Sequence, residues 1–109
     1  MAKTYTWHKL DDPIVAPGQI TVQDAGGKRI CVTVVEETWF AFAYKCPHAS
    51  GIMADGFIQN GEVVCPLHRY RFDLRNGRNT SGEGYHLKTY PIEQRADGVY
   101  VGVEKSSWF

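Results

Sequence analysis

The chain is poor in the features that would send it toward most function classes. Its 109 residues contain only three cysteines, an odd number, so a disulfide framework is not expected. No window approaches the roughly 20 apolar residues of a membrane-spanning helix. The opening "MAKTYTWHKL" lacks a basic stretch followed by a long apolar run, which argues against a secretory signal and for the cytoplasm. Twelve basic residues balance twelve acidic ones. That neutrality favours neither nucleic acid nor an anionic membrane. There is no repeat, no low-complexity tract, no phosphate-binding glycine loop and no nucleophile–base set with a visible third member. No segment carries a helical apolar stripe. The length allows one domain, 1–109, with a modest core.

What is present is alternation. "QITVQD" at 19–24 alternates around Ile20 and Val22, predicting an inward face there. "RICVTVVEETWFAFAY" at 29–44 holds two strand runs with Glu36-Glu37 as the hairpin turn. Ile30, Val32 and Val34 share a face. Phe40, Phe42 and Tyr44 share another, with Trp39 and Ala41 opposite. "GVYVGVE" sets Val99, Val101 and Val103 together after an Asp97-Gly98 turn. "EVVC", "YRFDL" and "HLKTYPIEQ" read as shorter strands. Gly26-Gly27, Asn60-Gly61 and Asn76-Gly77 supply turn residues. The expected fold class is all-β and antiparallel, with nine or ten short strands. Residues 45–83 are glycine-rich and weak in alternation, as an inserted loop-built subdomain would be.

Within that insertion, "KCPHASGIMADGFIQNGEVVCPLHRY" concentrates the chemistry. Cys46 and His48 stand one residue apart; sixteen residues later Cys65 and His68 stand two apart. Thiolate and imidazole together suit zinc or iron. Structural zinc sites grip one ion with C-x₂₋₄-C and H-x₃₋₅-H pairs, whereas here each pair mixes one Cys with one His and the first has a single spacer. A dinuclear iron site relaxes that demand, because each clip can send its Cys to one iron and its His to the other. Cys31, mid-strand, reads as a small buried hydrophobe. His8 and His86 stand apart from any Cys and read as surface or packing residues. Met53 reads as a packing plug. Pro47 and Pro66 follow the two cysteines and stiffen the loops.

C-x-H followed by C-x-x-H resembles the Rieske 2Fe–2S signature, in which two His replace two Cys on one iron. "CPLH" running into "RYRFDLRNG", and the lead-in "GF…NGEVVCPLH", resemble the second cluster loop and the preceding hairpin of Rieske ferredoxins. The likeness spans about residues 38–103. It implies a Rieske-type antiparallel β-sandwich with the cluster-binding subdomain at about 45–83. It implies one 2Fe–2S cluster with Cys46 and Cys65 on one iron and His48 and His68 on the other, the latter taking the added electron. Two departures bear on potential. Cytochrome bc relatives carry a disulfide where this chain has Gly51 and Leu67. They also place hydroxyl donors where it has Tyr70, expected not to turn inward, and Phe72. Fewer donors imply a lower potential. "NTSGEGYHL" at 79–87 replaces a proline-rich loop, with Gly82 and Gly84 as candidate cover.

The resemblance implies a soluble electron carrier between a reductase and a terminal oxygenase. The alternative is the small subunit of an assimilatory NAD(P)H nitrite reductase, partnered by its large subunit. That family is similar in "CPLH" and "KTYPIEQRADGVYVGV". A binding module with a vestigial site fits poorly with four intact ligands. The chain is expected to be a redox component and not a catalyst alone. Formal neutrality implies docking through a small uncharged face at Pro47, Leu67 and Gly82–Gly84. The tail Trp108-Phe109 is expected to pack.

Overall fold

The computed structural model describes residues 4–11, 15–47 and 51–104. His48, Trp108 and Phe109 therefore lie outside the described residues. Ten strands follow one another: β1 Tyr5–Lys9, β2 Thr21–Ala25, β3 Lys28–Val35, β4 Thr38–Ala43, β5 Phe57–Gln59, β6 Glu62–Val64, β7 Arg71–Asp73, β8 Thr89–Tyr90, β9 Ile92–Arg95 and β10 Gly98–Glu104. One 3₁₀ turn, Met53–Asp55, is the only helical element among the described residues. The strands form three sheets, β1-β10-β9, β2-β3-β4-β8 and β5-β6-β7, and every strand pair is antiparallel.

The hairpins close where the sequence places its turn residues. Val35 pairs with Thr38, so Glu36 and Glu37 form a two-residue turn with φ of 50° and 65°. Such turns need positive φ at both central positions. Gln59 pairs with Glu62 around Asn60-Gly61, which also has positive φ. The last hairpin is displaced by one residue from expectation. Arg95 pairs with Gly98, which makes Ala96-Asp97 the turn.

The middle sheet is buried on both faces. One face carries Ile30, Val32 and Ala41, which pack with Leu10, Tyr90, Val99 and Val101 against the β1-β10-β9 sheet. The other carries Cys31 and Phe42, which pack with Met53, Val63, Phe72, Leu74 and Leu87 from the chain between β4 and β8. Each large side chain removed from water in this way stabilises the fold by roughly 1.5–3 kcal/mol. Among the described residues Thr33 is the one buried polar side chain, and it donates its hydroxyl to the Gln19 carbonyl at 2.8 Å.

Two expectations need correction, and one strand was not foreseen. Val22 is exposed, because β2 is an edge strand that turns Thr21, Gln23 and Ala25 toward the core shared with the β1-β10-β9 sheet. "HLKTYPIEQ" is two strands, broken at Pro91, whose ring stacks under Gly102 of β10; proline has no N–H for a ladder. The strand β1 carries too few apolar residues to be read by alternation. It holds its place through pairing with β10 and by laying the His8 ring on Gly26. A Cβ at Gly26 would sit 2.5 Å from His8 Nε2.

Candidate iron–sulfur centre

Two loops meet over the core that holds Cys31 and Phe42. The first leaves β4 and returns at the 3₁₀ turn. Its neck is a short antiparallel ladder: Lys45 bridges Ile52, the Cys46 N–H donates to the Gly51 carbonyl at 2.8 Å, and the Met53 N–H donates to the Tyr44 carbonyl at 2.8 Å. The second follows β6. The Cys65 N–H donates to the Tyr70 carbonyl at 2.8 Å, closing a turn through Pro66, Leu67, His68 and Arg69. His68 and Arg69 both have left-handed backbones, φ 64° and 57°. Two consecutive non-glycine residues there store roughly 1–3 kcal/mol each. The consequence is a sharp reversal between Cys65, fully buried, and His68, exposed.

Cys46 and Cys65 share one apolar cluster with Met53 and Phe72. Their thiols face each other within hydrogen-bond range, and the Leu67 N–H points at the Cys65 sulfur. Burial first, then the Cys46 thiol, pushes the Cys65 thiol from 9.0 up to about 11, while the Leu67 N–H pulls the other way. A metal ion bound here would displace the proton of the Cys65 thiol. Gly51 lines the gap: a Cβ there would lie 3.3 Å from the Cys65 Sγ and 3.2 Å from the Leu67 Cγ. So the structure brings Cys46 and Cys65 together and sets His68 at their rim, while His48 lies outside the described residues. Among the described residues no three His, Cys, Asp or Glu side chains gather around a single ion.

Cys31 is fully buried in the same core, and burial pushes its thiol up to about 12. Met53 is likewise fully buried in the cluster that holds both cysteines. His8 sits on β1, in a different sheet, and His86 is exposed. Phe72 is fully buried in the cysteine-bearing core. Tyr70 was expected to turn away; it packs half-buried against that core, with its other side stacked on Tyr85, 5.8 Å between ring centres. Burial raises its hydroxyl pKa, with Tyr85, Glu83 and Cys46 adding to the effect.

One contributor escaped the sequence. Asn79 anchors the glycine loop that brings Tyr85 over Tyr70. Its Oδ1 accepts from the Glu83 and Gly84 N–H groups at 2.6 and 2.8 Å. Its Nδ2 donates to the Arg71 carbonyl, the Ser81 Oγ and the Glu83 Oε1 at 3.0, 3.2 and 2.9 Å. An Asn at the start of a loop rich in Ser and Gly was the available signal.

Comparison with known proteins places this geometry. The family model for the Rieske [2Fe-2S] domain matches residues 7–91. The chain belongs to the Rieske [2Fe-2S] domain family. This Rieske domain is 34% identical over 85 residues to the ferredoxin component of the naphthalene 1,2-dioxygenase/salicylate 5-hydroxylase systems of Ralstonia sp., covering 77% of this chain and 80% of that one. The solved ferredoxin of carbazole 1,9a-dioxygenase from Nocardioides aromaticivorans IC177 superposes with a TM-score of 0.76 at 25% identity, covering 94% of this chain and 99% of that one. The nitrite reductase [NAD(P)H] of Emericella nidulans is 32% identical over 86 residues, 70% of this chain but 8% of that much longer one. The antiparallel all-β fold is thus that of Rieske ferredoxins, and the family's cofactor is a 2Fe–2S cluster. The residues present fit it: two facing thiols, a main-chain N–H aimed at sulfur, a side-chain-free residue 51 and an imidazole at the rim.

Proposed function

We propose that this chain carries single electrons between a reductase and a terminal oxygenase in the cytoplasm, with Cys46 and Cys65 holding one iron and His48 and His68 the other. The observation that carries the reading is the pairing of two buried, facing thiols with an exposed imidazole three residues along the same turn. The ferredoxin components among its relatives, matched over most of their length, support the carrier role. When bound, the cluster supplies a one-electron couple. The chain does the rest. Its apolar core keeps water from the sulfurs, and the Leu67 N–H steadies negative charge on Cys65. The left-handed turn presents His68 at the surface. Beside it in the turn Pro66 and Leu67 are exposed, and the exposed Tyr85 stacks on the neighbouring Tyr70, a small apolar rim suited to brief redox encounters. No helix among the described residues is long and apolar enough to cross a membrane.

A second reading gives the same site to the small subunit of an assimilatory NAD(P)H nitrite reductase, and the Emericella relative favours it. The isolated protein should contain two iron and two acid-labile sulfide per chain and, once reduced, give the low average g value of mixed nitrogen–sulfur ligation. Cys46→Ser and Cys65→Ser should each abolish that signal. Stoichiometric zinc without sulfide would overturn both readings. Tagged protein recovered from its own host then separates them, since co-purification of a sirohaem protein selects the reductase subunit and of an oxygenase the carrier.

A further inference from the structure

The formal neutrality of the chain conceals a one-sided distribution of charge. A concave groove of about 480 Å³ lies beside the first cluster loop, lined by the β2–β3 turn, the end of β4 and Tyr90 of β8. Its charged residues are Lys28, Arg29 and Lys45 against the single carboxylate Asp24. The β3–β4 register pairs Ile30 with Ala43. Continuing it by two residues sets Lys28 opposite Lys45 and Arg29 opposite Tyr44, and the Arg29 guanidinium does lie over the Tyr44 ring at 5.0 Å. Like charges placed opposite each other on a sheet are destabilising. Among the described residues none of the three cations makes a salt bridge. Lys28 instead lies 5.8 Å from the centre of the Tyr90 ring, near which Lys88, itself paired with Glu104, also lies at 5.9 Å. A sheet end that keeps unneutralised cations over tyrosine faces is built for an anionic counterpart.

Position decides which counterpart. Lys45 directly precedes Cys46, and Tyr44 packs against the core that holds both cysteines. A body seated in the groove therefore also lies beside the redox centre. We propose that this groove docks an acidic surface of the protein redox partner, so that Lys28, Arg29 and Lys45 steer the partner while the apolar rim at Leu67 makes the close contact. The inference rests on the electron-carrier reading and replaces the expectation of a charge-independent encounter. Steering of this kind raises association rates by roughly 10- to 1000-fold at low salt and fades as the Debye length shrinks.

The test uses the iron-loaded protein and a K28Q/R29Q/K45Q variant. Fluorescein-labelled decaglutamate, a stand-in for an acidic protein surface, should bind the native protein at low salt. Its affinity should fall about tenfold or more in the variant, while Arg95→Gln in the outer sheet leaves it unchanged. Oxidation of the reduced protein by ferric cytochrome b5, a small acidic haem protein, should slow about tenfold between roughly 10 and 500 mM salt, and that slope should flatten in the variant with the visible spectrum intact. Equal decaglutamate affinity in native and variant protein would overturn the proposal. So would inorganic phosphate displacing the peptide at matched charge and ionic strength, since the groove would then take small anions. Absence of a reducible cluster would refute the carrier reading alone, because peptide binding is read without it.

Discussion

The contact between positions 51 and 67 gives a prediction whose size follows from the coordinates. A Cβ built on Gly51 lies 3.2 Å from the Leu67 Cγ, the place a cysteine Sγ would occupy. A disulfide needs about 3 Å between one Cβ and the partner sulfur, so a G51C/L67C pair should close with little backbone movement. Gly51 has no positive φ to oppose the new side chain. The bond would enclose the 17 residues from 51 to 67 and stabilise the protein by about 3 kcal/mol through the unfolded chain, raising the melting temperature by about 10 °C or more. The same Cβ, however, lies 3.3 Å from the Cys65 Sγ. A G51C single variant therefore has one sulfur within reach, and it is a proposed iron ligand. Oxidised after loading, the double variant should keep its colour and gain the crosslink. The single variant, oxidised before loading, should crosslink to Cys65 and fail to take up iron. Intact mass, thiol titration and melting with and without reductant separate these species. If the double variant stays reduced in air, or the single variant loads normally, the two loops do not face each other as described.

Phe72→Tyr places a hydroxyl in the fully buried core that holds both cysteines. From a starting midpoint near the low end of the family, roughly −150 mV, it should raise the potential by about 30–60 mV if the hydroxyl donates to sulfur, the equivalent of about 0.7–1.4 kcal/mol. A fall in stability of roughly 1–3 kcal/mol with no shift in voltammetry would show an orphaned hydroxyl instead. Asn79→Ala removes the anchor of the 79–85 loop. Amide exchange at Glu83 and Gly84 should speed up and stability fall by about 1–2 kcal/mol, whereas unchanged exchange would mean the loop is held by other contacts. Burial, with Asp55 second, lifts Cys31 from 9.0 to about 12. The fold favours its neutral thiol, so the stabilisation is complete below pH 9 and is lost as pH rises toward 12. Cys31→Ala should cost about 1–2 kcal/mol at neutral pH and flatten the alkaline slope of apoprotein denaturation; an unaltered slope would assign it to other groups.

The two clips stand out in the sequence because metal ligands tolerate little freedom in spacing, and the structure brings their two cysteines into one core; the Glu36-Glu37 turn was legible because a two-residue loop between alternating runs has few alternatives. The faces of β3 and β4 were also readable, since both are buried and both are apolar. Val22 misled because alternation reports which residues share a side, and an edge strand leaves that side uncovered. Pro91 split a run whose composition was uniform. Asn79 works through five hydrogen bonds to residues up to eight positions away, a pattern with no periodicity to detect. The basic groove was hidden by arithmetic: Lys28 and Lys45 are seventeen residues apart in the chain, and only the hairpin register brings them to one end.

The doubly buried middle sheet limits how this centre can be moved. Cys31 and Phe42 belong to β3 and β4, yet they form the floor on which Cys46 and Cys65 rest. Excising residues 45–83 as a portable iron–sulfur cassette would leave the loops without that floor and the scaffold with an open apolar face. A graft onto a foreign β-sheet would have to carry the β3–β4 hairpin with it, from Lys28 onward. The smallest transplantable unit is then nearer to 28–90 than to the loops that hold the ligands.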